Sequence, residues 1–260
     1  MVAIPPLLFA LLMWFIGTAA VVWLDSRPHA TFRASLRWAG LVALGATGAV
    51  WFLAADAGAE ATYAGFAAAI VIWGWHEMSF LMGAVAGPNR AECPPGARGW
   101  VRFKSATATV IHHELALAAT AIALFALTWG QPNQAAPLTF LLLFVLRLSA
   151  KFNLYLGVPN LSDEVFLAHL AYLKSYFRKA RLNALFPFSI LFGAAIVWWG
   201  WSSDTVTGQL VAGLAALGVI EHLFLVLPLR DAKMWQWASA KSSKSQPKTV
   251  AKAAKTATID

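Results

Sequence analysis

Long apolar stretches alternate with short polar connections along the chain, and seven of the stretches are long enough to cross a membrane. A spanning α-helix needs about 20 mostly apolar residues. The first stretch is predicted to remain as a spanning helix, because no Lys or Arg precedes it and no cleavage site interrupts it. The predicted helices are residues 5–24, 36–54, 62–85, 105–129, 135–157, 185–201 and 205–228.

Two other segments break this pattern. The connection 158–184 alternates apolar with charged side chains, which favours an amphipathic helix lying in the membrane interface, with an ordinary loop as the alternative. Residues 238–260 consist mainly of Lys, Ser, Ala and Thr, and we expect a disordered, Lys-rich cytoplasmic tail. The predicted fold is therefore all-α. A transmembrane domain, residues 1–237, contains about seven helices and an interfacial helix between the fifth and sixth.

The composition agrees with a membrane protein. Hydrophobic residues make up 59% of the chain, against roughly 45–50% in soluble domains. Many of the 13 Trp residues stand near the ends of apolar stretches, where aromatic side chains meet the headgroups. The single cysteine, Cys93, excludes an internal disulfide and a Cys-rich metal site.

We interpret the net charge of +8 as a sign of how the chain is oriented in the membrane, and not as a sign of nucleic-acid binding. Of the 20 Lys and Arg residues, 18 lie in the C-terminal segment or in, or within two residues of, the first, third and fifth connections. Because loops rich in Lys and Arg stay in the cytoplasm, we predict a periplasmic N-terminus and a cytoplasmic C-terminus. An odd number of spans, such as seven, places the two termini on opposite sides of the membrane, as this prediction requires.

Polar side chains inside the predicted spans are the candidates for function. Ionisable groups within a membrane are rare, and they usually face the bundle interior and pair there. At a rise of 1.5 Å per residue, those in four spans lie roughly 9–15 Å from the cytoplasmic helix ends. We therefore predict one buried polar layer that contains His76, Glu77, His112, His113, Glu114, Arg147, Lys151, Asn153, Glu221 and His222. Further candidates for this layer are Asn160, Glu164 and His169.

Arg147 and Lys151 lie four residues apart and so share one face of the fifth predicted helix. Two like charges on one face need carboxylates opposite them, and Glu77, Glu114 and Glu221 are the intramembrane candidates. A hydrogen-bonded ion network that sets the helix packing is the first interpretation of the layer.

A metal site is the alternative. His76, Glu77, His113, Glu114, Glu221 and His222 carry donor atoms that suit iron, manganese or zinc. The pairs are adjacent, however, whereas diiron bundles use Glu-x-x-His. His76 also has the aromatic neighbours Trp73 and Trp75, which would suit an axial ligand of bacteriochlorophyll or haem. The competing interpretation of His76 is a hydrogen bond to the next helix.

Several motifs together resemble a known family. They are Trp75-His76-Glu77, Phe80-Leu81-x-Gly83, Gly87-Pro88, His113-Glu114, the stretch from Arg147 through Lys151 and Asn153 to Asn160, and Glu221-His222. The chain thereby resembles, over about residues 5–237, the PuhE family of photosynthetic complex assembly proteins from purple phototrophic bacteria. The resemblance implies a multi-pass protein of the bacterial inner or intracytoplasmic photosynthetic membrane. It also implies a link to reaction-centre and light-harvesting assembly and to the control of bacteriochlorophyll production.

Two main hypotheses of function follow. The first is an assembly factor that binds reaction-centre or light-harvesting polypeptides, pigment-synthesis proteins or bacteriochlorophyll through its membrane bundle. The alternative is a diiron-like membrane oxidoreductase acting on a tetrapyrrole or another hydrophobic substrate. A transporter ranks last, because no inverted repeat or pair of broken helices is visible.

Overall fold

A computed structural model of the chain describes residues 5–161 and 168–227. Within these ranges seven α-helices are long and apolar enough to cross a membrane, which confirms the predicted all-α fold. They are α1 (Pro6–Asp25), α2 (Phe32–Leu53), α3 (Ala59–Leu81), α4 (Gly99–Leu127), α5 (Ala135–Leu156), α6 (Leu185–Ser202) and α7 (Val206–Phe224). The predicted tail, residues 238–260, lies outside the described residues.

The helix α3 is the centre of the bundle, and α1, α2, α5 and α7 pack around it. Small residues on its buried face, such as Ala61, Gly65 and Ala69, let neighbouring backbones come close. The main apolar core lies around α3, α5 and α7 and includes Phe66 and Phe140. The helices α1, α2 and α6 bury little of their surface, as expected for helices in contact with lipid.

The helix α4 begins six residues earlier than predicted, because its first basic side chain finds partners inside the protein. Nη2 of Arg102 donates hydrogen bonds to the carbonyl oxygens of Tyr155 and Tyr176, at 3.0 and 2.7 Å. Its guanidinium also lies 4.0 Å from the centre of the Tyr155 ring. The charge therefore binds the C-terminal end of α5, and α4 can extend beyond its apolar stretch.

An end cap covers the bundle where α3 ends and α4 begins. It consists of the connection 82–98 and a 3-10 helix, Ala168–Tyr176, which occupies part of the segment predicted to form the interfacial helix. Leu170 and Leu173 of this helix are buried against Phe80 and Ala86. Its apolar side chains therefore pack on protein.

The connection 82–98 approaches α4 closely at Gly87. A Cβ atom at this position would collide with backbone atoms of Ala108, Thr109 and Val110, so only glycine fits. Two backbone hydrogen bonds of 3.0 Å hold the contact, from Asn89 N to Ala108 O and from His113 N to Ala86 O. The cap thus fixes α4 at the level of His113.

Candidate functional site: a polar layer on α3, α4 and α5

Two ion pairs connect α5 to its neighbours. Nη2 of Arg147 donates to Oε2 of Glu77 on α3 at 2.9 Å, and Nζ of Lys151 donates to Oε1 of Glu114 on α4 at 2.5 Å. Both cations lie on one face of α5, and each meets a different helix. Since the two carboxylates cancel the two cations, these pairs carry no net charge into the bundle. We call these four residues the ion layer.

His113 lies beside the ion layer and is completely buried. Its ring packs against the Phe80 ring, with centroids 4.8 Å apart. Its Nε2 is 3.9 Å from Oε1 of Glu77, beyond the usual hydrogen-bond range of about 2.7–3.2 Å. Both ring nitrogens, Oε1 of Glu77 and Nε of Arg147 have no hydrogen-bond partner within the described ranges. Each buried polar group left unpaired costs about 1–3 kcal/mol of folding free energy. The space around His113 and Glu77 is therefore suited to polar atoms from outside the chain.

Asp25 is a buried carboxylate that sequence analysis missed. It ends α1, is 7% exposed and interacts electrostatically with Glu77. In sequence it stands at the border of an apolar stretch beside Ser26 and Arg27, which is typical of a connection. No local pattern distinguishes it from an exposed loop residue.

His76 and Glu77 are adjacent in sequence but serve different contacts. Nε2 of His76 lies 2.9 Å from Oγ1 of Thr120 on α4, and its ring packs against Phe140 and Trp75. Successive residues on a helix point about 100° apart, which separates the two side chains. His76 therefore forms a hydrogen bond to the next helix, which was the competing interpretation of this residue.

A second polar cluster lies on the other face of α5. Nδ1 of His222 is 2.8 Å from the carbonyl oxygen of Gly218, and a carbonyl can only accept, so Nδ1 carries hydrogen. In the neutral ring Nε2 is then the acceptor. Oγ of Ser149 lies 3.0 Å from this nitrogen and 2.8 Å from Oγ of Ser189, so the hydroxyl of Ser149 connects His222 with Ser189. His222 therefore joins α7 to α5.

Asn153 extends this cluster to α6. It is completely buried, and its Nδ2 donates to Oγ of Ser189 at 2.9 Å and to the carbonyl oxygen of Ser149 at 3.0 Å. Nδ2 of Asn183 donates to Oδ1 of Asn153 at 3.0 Å. The four-residue spacing of Ser149 and Asn153 was a signal for this second face. Of these two residues, only Asn153 was predicted to belong to a polar site.

Other predicted members of the layer lie elsewhere. His112 is exposed on the outer face of α4, and Glu221 is exposed on α7, where it accepts a hydrogen bond from Nε1 of Trp14 at 3.2 Å. Nδ2 of Asn160 donates to backbone carbonyls near the end of α7. Nε2 of His169 lies 2.7 Å from the carbonyl oxygen of Leu81, at the end of α3. Glu164 lies outside the described residues.

The six predicted metal ligands are not gathered into one group within the described residues. Across residues 5–161 and 168–227, no group of three or more His, Cys, Asp or Glu side chains is placed to hold one. Of the six predicted ligands, His76 turns to Thr120, His222 to Ser149 and Glu221 to the outside. The adjacent pairs split because neighbouring residues on a helix face different directions, whereas Glu-x-x-His pairs share a face.

A family model described as "Protein of unknown function (DUF3623)" matches residues 1–246. The chain belongs to the DUF3623 family. A relative from Rhodobacter capsulatus, described as "Uncharacterized 30.4 kDa protein in puhA 5'region", is 38% identical over 242 residues, which cover 88% of each chain. No solved structure matches this DUF3623 protein.

Proposed function

We propose that this DUF3623 protein is an integral membrane assembly factor for the photosynthetic apparatus. The observation that carries the proposal is the name of the Rhodobacter capsulatus relative, which refers to the 5' region of puhA, a reaction-centre gene. The resemblance to the PuhE family supports the same role. The protein would act in the bacterial inner membrane, with its N-terminus in the periplasm and its C-terminus in the cytoplasm.

The geometry favours a binding role over a catalytic one. The charged groups of the ion layer are engaged in pairs, and His222 is engaged with Ser149. Replacing one member of a buried pair leaves an uncompensated charge, so such networks specify one helix arrangement. We infer that the ion pairs of the ion layer hold α3, α4 and α5 in a fixed arrangement.

A fixed bundle can present a constant apolar surface to partner helices. The outer helix α2 exposes Trp38, Leu44, Trp51 and Phe52, and α6 exposes Phe188 and Trp198. The partners would be spanning helices of reaction-centre or light-harvesting polypeptides, or pigment-synthesis proteins that deliver bacteriochlorophyll to them. Loss of the protein would then unbalance pigment production and complex assembly together.

A deletion strain of the phototrophic host tests the proposal. We expect membrane absorption spectra with reduced or unbalanced reaction-centre and light-harvesting bands, and restoration by the wild-type gene. The variant Glu77→Gln should restore the bands poorly, because it removes the carboxylate that pairs with Arg147. Glu221→Gln is the matched control, since Glu221 is an exposed glutamate on a neighbouring span. Unchanged spectra in the deletion strain would overturn the proposed role.

A further inference from the structure

A groove of about 650 Å³ lies between α2, α3 and α4, apart from the ion layer. It is lined along α2 from Leu36 to Thr47, along α3 by Ile72 and His76, and on α4 by Thr120. Most of its wall is apolar. Its volume falls within the roughly 300–1,000 Å³ of ligand pockets.

The length of the groove matches one leaflet of a bilayer. Leu36 and Thr47 are eleven residues apart on α2, so at 1.5 Å per residue the groove is about 16 Å long. Half of a hydrocarbon core of about 30 Å is about 15 Å. The groove therefore suits an acyl chain that lies along the helices and ends near the middle of the membrane.

Charge distinguishes the two ends of the groove. Arg37 is the single charged residue among the described residues that line it, and its side chain is exposed. It lies five residues after the start of α2. The first connection, which also contains Arg residues, leads into α2 at this same end of the groove. Guanidinium groups bind phosphate through paired hydrogen bonds, so this end of the groove suits the headgroup of a lipid whose chain enters the groove.

We propose that the groove binds one anionic phospholipid, with its phosphate on Arg37 and one acyl chain along α2. The bound chain fills the space between α2 and α4 and contacts His76. This inference does not depend on the proposed function in assembly.

Native mass spectrometry of the full chain in mild detergent tests the proposal, with phosphatidylglycerol and phosphatidylcholine of identical acyl chains as probes. We expect one retained phosphatidylglycerol per chain and an approximately fivefold preference for it, the factor that corresponds to one basic side chain at a lipid surface. Arg37→Gln should abolish the preference. Arg181→Gln, which removes an exposed arginine in the fifth connection, should keep it.

A second variant tests the groove independently of charge. Leu44 lines the groove and is 70% exposed, so Leu44→Trp narrows the groove without disturbing the core. We expect lower occupancy by both lipids in this variant. Equal binding of the two lipids to the wild type would overturn the proposal. So would an equal loss in Arg37→Gln and Arg181→Gln, or full occupancy in Leu44→Trp.

Discussion

Lys151 on α5 donates a hydrogen bond to Glu114 on α4, with 2.5 Å between Nζ and Oε1. Lys151 Nζ also lies 5.2 Å from the centre of the Phe80 ring of α3. One ammonium group therefore contacts two other helices at the same level. This level is also where the end cap binds α4 through His113, so the ion layer and the cap stabilise the same part of the bundle.

Removing the partner of Lys151 should destabilise the bundle. We expect Glu114→Gln to cost about 3–5 kcal/mol, because it leaves a largely buried ammonium without its carboxylate. The double variant Glu114→Gln/Lys151→Met should recover much of this loss, since it removes both charges. Thermal unfolding in detergent measures both effects. His112→Ala is the control, because His112 neighbours this site on the exposed side of α4. A double variant less stable than Glu114→Gln would contradict the pairing.

The cluster around His222 makes a separate prediction. Ser149→Ala removes the hydroxyl that lies 3.0 Å from Nε2 of His222, and a buried polar atom left unpaired costs about 1–3 kcal/mol. Thermal unfolding should show this loss, and Ser202→Ala should show almost none. The hydroxyl of Ser202 is exposed and bonds only carbonyl groups of its own helix. Equal stability of the two variants would refute the bond between α5 and α7.

Gly87 should tolerate no side chain. A methyl group there meets the backbone of α4, and overpacking of this kind costs about 1–3 kcal/mol. We expect Gly87→Ala to lower the unfolding temperature and to make the connection 82–98 more accessible to proteases. Gly48→Ala is the matched control, since nothing lies within 4 Å of a Cβ at that position. If both variants unfold at the wild-type temperature, Gly87 does not approach the backbone of α4 as closely as described.

The predicted orientation can be tested with the native cysteine. Cys93 lies in the third connection, which the distribution of Lys and Arg assigns to the cytoplasm. A membrane-impermeant maleimide should label Cys93 only after cells are permeabilised. In a Cys93→Ser background, Gln131→Cys should be labelled in intact cells, because Gln131 is exposed in the fourth connection. The reverse pattern would invert the topology.

Some details of the candidate site followed from spacing. Arg147 and Lys151 share a helix face at a spacing of four, so carboxylates from other helices were expected opposite them. The structure places Glu77 and Glu114 there, whereas Glu221 is exposed. Spacing within one helix cannot choose among carboxylates on others, since that choice depends on how each helix is rotated about its own axis.

The sequence by itself determined the seven spans, because apolar length alone decides which segments can cross a bilayer. It also determined that α5 carries polar residues within an apolar span. The tertiary structure alone decided that His113 is buried while His112 is exposed, and that Asp25 belongs inside the bundle. Helix rotation and the approach of the end cap through Gly87 decide these contacts, and both arise from packing between segments distant in sequence.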